Sequence, residues 1–372
     1  MLDATPPDRS PAPPRPGSGA VGEAAPPLAA GDGAPGPNGA PPVAPGADRR
    51  QDRPAAGRGG AAELWAWLRV VGGAVLVAVL LRAVAFEAFR IPSTSMEDTL
   101  LVGDFVLVSK LHYGPRLFGA RLPGFDDPDR GDVAVFNYPP GLDPEPARRT
   151  PYIKRVVALP GDTLAIRAKE VRIGAEAQPA PPVGRQLWEV RLSQPLPPDA
   201  LLGLDGRIER RAAGLWLIEG TAGQADRLRA LPGVDAVYPL VRPLGDGSAA
   251  FPAAFHFSLD DYGPIVVPRA GATVRLDDAS WPVVRTVIER FEGHRAERTA
   301  RGFLVDGVPA ETYTFAQDYY FVLGDNRDDS ADSRTWGFVP EDHLIGKAVA
   351  VYFSWDEAAG APHWDRIGTA VR

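Results

Sequence analysis

The chain of 372 residues contains no cysteine. Disulfides, thiolate nucleophiles, zinc–cysteine sites and iron–sulfur clusters are therefore excluded, and an oxidising compartment is tolerated without being identified. Lysine is nearly absent as well: of 40 basic residues 36 are Arg, and Lys occurs only at 110, 154, 169 and 347. Guanidinium cannot lose its proton in a protein, whereas a buried ammonium can do so near neutrality. Each retained lysine therefore invites a chemical explanation. A net charge of −7 argues against a nucleic-acid partner, which usually selects a basic domain. The five histidines, His112, His256, His294, His343 and His363, stand apart from one another. None has metal-ligand spacing and H-E-x-x-H is absent, so no metal is expected. G-x-S-x-G, a Walker A loop and a dinucleotide fingerprint are also missing, and no cofactor is expected.

What is present is unevenly distributed. Residues 1 to 62 are rich in Pro, Gly and Ala, with 14 of the 40 prolines in the first 60 positions and no aromatic residue before Trp65. Such a stretch buries too little apolar surface to offset its ordering entropy, which predicts a disordered tail. It gives way to "LWAWLRVVGGAVLVAVLLRAVAFEAF" at 64 to 89. The uninterrupted core, Val70 to Leu81, has 12 residues, a length that also suits a buried helix or a signal-peptide core. Counted from Leu64 to Phe86 it has 23, about 34 Å of helix and enough to cross hydrocarbon. Trp65 and Trp67 fall where an interfacial belt is expected, and Arg69 and Arg82 can snorkel. Arg49, Arg50, Arg53 and Arg58 precede the span while Arg90 alone follows it closely. The positive-inside rule then predicts a single-pass helix over 63–88 with the N-terminus in the cytoplasm. The rival is a cleaved leader, because "AVA" at 83 to 85 is a small-x-small pattern, but some 60 residues ahead of the apolar core make an overlong n-region. Cutting there by another copy of the chain is a separate reading.

From 89 onward the pattern is mainly β. "DFVLVSK", "DVAVFNY", "YIKRVVAL", "GLWLIEG", "GPIVVP", "PVVRTVIERFEG", "YYFVLGD" and "KAVAVYFSW" are β-branched or aromatic runs bounded by Gly, Pro and Asp. One clear short helix is predicted near "GQADRLRALPG", ending at Gly233. The expectation is an antiparallel β core from 89–172 and 261–372, with 173–260 as an inserted subdomain or cap.

Three segments within this core can carry chemistry. In "IPSTSM" (91 to 96), Pro92 disfavours a helical start, and in an extended strand Ser93 and Ser95 share a face. One serine could attack a carbonyl while the other bonds the oxyanion; a serine-rich turn capping the span is the plainer alternative. In "TPYIKRVVALPGD" (150 to 162), alternation sets Tyr152, Lys154 and Val156 on one face and Ile153, Arg155 and Val157 on the other. A lysine so placed is a candidate for desolvation, or else an exposed edge-strand lysine. Acting near pH 8 requires a fall from about 10.4, at about 3–4 kcal/mol. "GDNRDDSADSRTWGF" (324 to 338) lacks the glycine and glutamate of a calcium loop, so a polar loop stitched by its own bonds is expected.

These segments, with "GDFVLVSK", "RGDVAVF" and "GKAVAVYFSW", closely resemble the type I signal peptidase family of membrane-bound Ser-Lys proteases, over much of 89–172 and 315–356. The resemblance implies an endopeptidase that removes signal peptides from exported preproteins after small-x-small (Ala-x-Ala) sites. Ser95 would be the nucleophile and Lys154 the neutral general base, with the Ser95 N–H and the Ser93 hydroxyl as oxyanion hole. Ser330 would bond and orient the lysine amine, Arg155–Asp325 and Asp332–Arg334 would be supporting ion pairs, and Phe89, Ile91, Met96, Tyr152 and Ile153 would line the pockets for small residues. Thr94 departs from the small residue usual at its position. The implied setting is the bacterial cytoplasmic membrane, with the catalytic domain on its outer side. Membrane lipid is a further expected partner, with "LFGARLPGF" (117 to 125) as one contact surface; the oligomeric state is left open. A self-cleaving repressor-type Ser-Lys protease and a catalytically inactive membrane-anchored β adaptor are the alternatives. The span and the lack of a DNA-binding region disfavour the first, and retention of both Ser95 and Lys154 disfavours the second.

Overall fold

The computed structural model describes residues 59–372 apart from 118, 119, 142, 182, 197–200, 202 and 205. The predicted tail, residues 1–62, lies outside the described residues but for the last few. An α-helix, α1 (Gly59–Val84), ends earlier than the expected 88: Phe86–Arg90 forms strand β1, and Ala85, where helix gives way to strand, is buried. The correction has a clear cause, because Ala85 must return its carbonyl to the Lys110 N–H at the edge of the sheet. Leu64, Trp65, Trp67, Val70, Leu76 and Val77 of α1 are exposed. Among the described residues no helix is long and apolar enough to cross a membrane; within α1 the side chains described without interruption run from Glu63 to Val79.

The central sheet takes its strands out of sequence order. Strand β1 pairs with β2 (Asp104–Ser109), and β3 (Val133–Asn137) with β4 (Pro151–Ala158), all antiparallel. Two later strands complete it: Tyr319–Leu323 lies beside β4, and the 13-residue Leu344–Asp356 lies between β2 and β3. Alternation along β4 divides its side chains between cores. Val156 and Tyr152 pack with Phe136, Tyr320 and Trp336, while Ile153 joins Ile91, Met96, Leu100, Val106 and Val133. A second sheet, built from Thr163–Arg167, Glu170–Ile173, Glu176–Ala177 and Tyr262–Val266, adds a larger core around Leu164, Ile166, Tyr262 and Phe321.

One segment departs from the strand expected of it. "PVVRTVIERFEG" reads as a strand because of its β-branched residues, yet Trp281–Arg290 is an α-helix. Its buried residues, Trp281, Val283, Val284, Val287 and Ile288, recur with helical rather than alternating spacing, and Pro282 sits in the first turn, where its missing N–H costs nothing. The short helix predicted to end at Gly233 spans Ala222–Arg229, with a reciprocal cap between Thr221 and Gln224. It covers a separate four-stranded sheet of Arg185–Leu192, Ile208–Ala212, Leu215–Thr221 and Val234–Pro239, in the region expected as an insertion.

Candidate active site

The first element of the site is a turn. After β1, the Ile91 N–H and carbonyl bond the Asp104 carbonyl and the Gly103 N–H, and Thr94–Met96 then winds into one turn of 3-10 helix. The segment, expected to be extended or turn-like, is extended at Ser93 and curled from Thr94 to Met96. Ser93 remains extended at the mouth of the turn, and its Oγ still lies 3.3 Å from Ser95 Oγ. Met96 and Ile91 are fully sunk in the core below, which fixes the turn and leaves Ser95 only 8% exposed.

Strand β4 supplies the second element. Ala134 lies opposite Lys154 across the ladder, and the lysine side chain, 4% exposed, ends with Nζ 2.7 Å from Ser95 Oγ. The amine also donates to the Ile153 carbonyl at 2.8 Å and lies 5.7 Å from the centre of the Tyr152 ring. Burial lowers its pKa from 10.5 to about 8, against the weaker opposing pull of Asp332 and Asp325. The other lysines differ. Lys110 pairs with Glu87, Lys169 with Asp328 and Lys347 with Asp132; among the described residues Lys154 has no carboxylate within ion-pair distance. A desolvated amine with no counter-ion is the form that can accept a proton near neutrality.

The third element is the 324–334 loop, which the sequence left as a self-stitched polar segment. It supports both partners. Asn326 N–H donates to the Ser95 carbonyl at 3.1 Å, Thr94 Oγ1 donates to Asp329 at 2.6 Å, and Thr99 Oγ1 donates to Asp325 at 2.6 Å. Arg155, on the face of β4 opposite Lys154, forks onto Asp325 through Nε and Nη2 at 2.8 and 2.5 Å. Gly324 permits the close approach: a Cβ there would fall 2.2 Å from Ser330 Oγ and 2.6 Å from the Ser95 carbonyl oxygen. The site so assembled joins a hydroxyl, an amine whose pKa is brought down to about 8 and a second hydroxyl, which is sufficient for nucleophilic acyl transfer.

The family model for signal peptidase, peptidase S26, matches residues 64–194 and 271–355, more than half of the chain. The chain belongs to the peptidase S26 family. Signal peptidase I of Pseudomonas aeruginosa is 28% identical over 311 residues, covering 79% of this chain and 75% of that protein. Signal peptidase I of Aquifex aeolicus is 27% identical, with 80% and 88% covered, and that of Haemophilus influenzae 26%, with 80% and 72% covered. The unmatched stretch of this S26 chain, 195–270, holds three of the four strands of the separate sheet.

The remaining residues named from the sequence fall in different places. Asp332 takes the Arg334 guanidinium at 2.8 Å through Nε and Nη2, and also the Gly324 N–H at 3.1 Å. Burial alone would raise its carboxyl, but Arg334 and these bonds hold it below the usual range. The Lys154 amine bonds Ser95 and Ile153 and not Ser330, whose hydroxyl lies by Asp332 and helps hold that carboxyl down. The Gly324 backbone and the curled serine turn bring the amine to Ser95 without Ser330. Of the pocket residues, Phe89, Tyr152 and Ile153 are half-buried; Ile91 and Met96 are core beneath Phe89 and Ile153, while Tyr152 packs in the other core. In "LFGARLPGF", Leu122 and Phe125 are exposed; the Leu117 side chain, Phe118 and Gly119 lie outside the described residues. Reading the sequence missed Asp98, Thr99, Asp329 and Arg185, and only the density of Asp in the 324–334 loop hinted at such partners.

Proposed function

We propose that Ser95 is the nucleophile and Lys154 the general base of this chain. It is a serine endopeptidase that removes signal peptides from preproteins. The observation carrying the assignment of roles is the 2.7 Å approach of Lys154 Nζ to Ser95 Oγ in a buried pocket. The neutral amine takes the Ser95 proton as Oγ attacks the scissile carbonyl, and returns it to the leaving amine as the acyl-enzyme forms. Water activated by the same amine then releases the product. The developing oxyanion is met by the Ser95 N–H and the Ser93 hydroxyl, whose oxygen lies beside the reacting one. Arg155–Asp325 and Asp332–Arg334 keep the loop in register with both partners. Ser330, packed against Gly324 beside the Ser95 carbonyl, bonds and orients the lysine amine when substrate reorders the site. Phe89 and Ile153, floored by Ile91 and Met96, and Tyr152, beside the amine on the other face of β4, offer shallow apolar surface suited to small side chains, hence cleavage after Ala-x-Ala.

The same reading sets α1 in the bacterial cytoplasmic membrane, with the N-terminus in the cytoplasm and the β domain outside. In its support, Leu64 to Leu81 carries one charge, Arg69. The 26 helical residues rise about 39 Å, and the exposed leucines, valines and tryptophans form a surface that water does not usually border. The test is incubation of the purified full chain in lipid with a preprotein whose signal ends Ala-x-Ala. Wild type should cleave while Ser95→Ala and Lys154→Ala do not. An inactive wild type, or an active Lys154→Ala, overturns the assignment.

A further inference from the structure

Arg185 links the separate four-stranded sheet to the serine turn. Arg185 opens the Arg185–Leu192 strand and forms a parallel bridge with Asn326. Its N–H donates to the Asp325 carbonyl and its carbonyl accepts from the Arg327 N–H, both at 2.9 Å. Its guanidinium, in a residue only 1% exposed, reaches across to the serine turn and forks onto Asp98: Nε to Oδ2 at 2.9 Å, Nη2 to Oδ1 at 2.8 Å. Asp98 follows Ser95 by three positions and sits at φ +71, a region uncommon for any residue but glycine. That backbone conformation is the one that presents its carboxylate to the fork. The sheet is shaped around this contact. A Cβ on Gly206 would fall 2.9 Å from Arg185 Nη1 and 2.3 Å from the Glu219 carbonyl oxygen. Glu219 itself accepts from Asn326 Nδ2 at 2.9 Å, and the Leu187 N–H donates to Asp328 at 2.7 Å.

We propose that Arg185 is a positioning residue for the hydrolysis, holding the serine turn by its side chain and the 325–327 loop by its backbone, so that the inserted sheet sets the distance between nucleophile and base. This rests on the reading of Ser95 and Lys154 given above. Both ends of the link touch the reacting pair at one remove. Asp98 continues the turn that carries Ser95. Asn326 bonds the Ser95 carbonyl, and Asp325 fixes Arg155, next to Lys154 on β4. Loosening the link displaces the hydroxyl from the amine and admits water to the pocket. The first effect lowers turnover; the second lets the lysine pKa climb back towards 10.5.

The experiment compares Arg185→Gln, Arg185→Lys and Asp98→Asn with wild type, using full-length protein in lipid and a preprotein substrate. It records kcat, KM, the pH dependence of kcat/KM and thermal unfolding. Arg185→Gln should lose about 10²-fold in kcat, the scale expected for a misplacement near 1 Å. KM should change far less, and the acid limb should move to higher pH. Arg185→Lys should recover part of both effects. Asp98→Asn should act in the same direction, and the double variant should be no worse than the poorer single one. A folded Arg185→Gln that keeps the wild-type limb and turnover refutes the proposal, since a purely structural role changes only the amount of folded enzyme. Should Arg185→Gln fail to fold, Asp98→Asn decides by the same limb. A wild-type enzyme with no limb near pH 8 overturns the Ser95–Lys154 reading itself, and the proposal with it.

Discussion

Replacing Lys154 by methionine should abolish cleavage and yet leave the protein more stable at neutral pH. The amine is almost fully buried and titrates at about 8 instead of 10.5. In the unfolded chain the lysine stays protonated up to 10.5, so between the two values the unfolded state binds more protons and wild-type stability rises with pH. Below pH 8 the folded protein bears the whole cost of burying the ammonium, about 3 kcal/mol. Methionine fills similar volume without that cost, but loses the bonds to Ser95 Oγ and the Ile153 carbonyl, about 1 kcal/mol each. The variant should therefore be more stable than wild type by about 1 kcal/mol at pH 7 and less stable by about 2 kcal/mol above pH 10.5. Denaturant titration of both proteins at the two pH values, in one detergent, measures the swing. A stability difference that stays flat across this window, or moves the other way, would show that the folded protein holds Lys154 charged, and the argument for a neutral base would fall.

Three further outcomes follow from the same geometry. Ser93→Ala should keep substrate affinity and lose about 10²–10³-fold in kcat, read by single-turnover cleavage. Gly324→Ala has to push apart Ser330 and the Ser95 carbonyl, so turnover should fall by about 10²-fold even where thermal unfolding shows a folded protein. Asp325→Ala strands the buried Arg155 guanidinium, and denaturant unfolding should report a loss of about 3–5 kcal/mol.

Local chemistry made the main actors visible in the sequence. A lysine kept in an arginine-rich chain, alternating with apolar neighbours on a strand, and a serine pair behind a proline are signals that need no tertiary contact. Whether the serine segment runs extended or curls was not decided locally, because the choice is set by Met96 and Leu100 dropping into a core made largely by distant strands. The helix Trp281–Arg290 was misread since β-branched composition outweighed the spacing of Trp281, Val284, Val287 and Ile288, which only the core beneath them makes decisive. Asp98–Arg185 lay further out of reach still. Nothing near either residue announces a partner 87 positions away, and an acidic residue after a serine pair is unremarkable on its own. Ser330 is implied by the resemblance alone; its hydroxyl lies by Asp332, a neighbour that no local pattern announces.

The position of Leu344–Asp356 between β2 and β3 has a consequence for biosynthesis. The hydroxyl at 95 precedes β2 and the amine at 154 sits on β4, so the two lie on opposite sides of a strand that the ribosome delivers almost 200 residues later. Until that strand threads the gap, the halves of the sheet have no shared edge, and the two atoms are joined only through the 324–334 loop and the packing of Ile153 on Ile91 and Met96. Pairing across such sequence distances is slow. On the proposed roles of Ser95 and Lys154, a nascent copy therefore lacks a completed site until Leu344–Asp356 has been made.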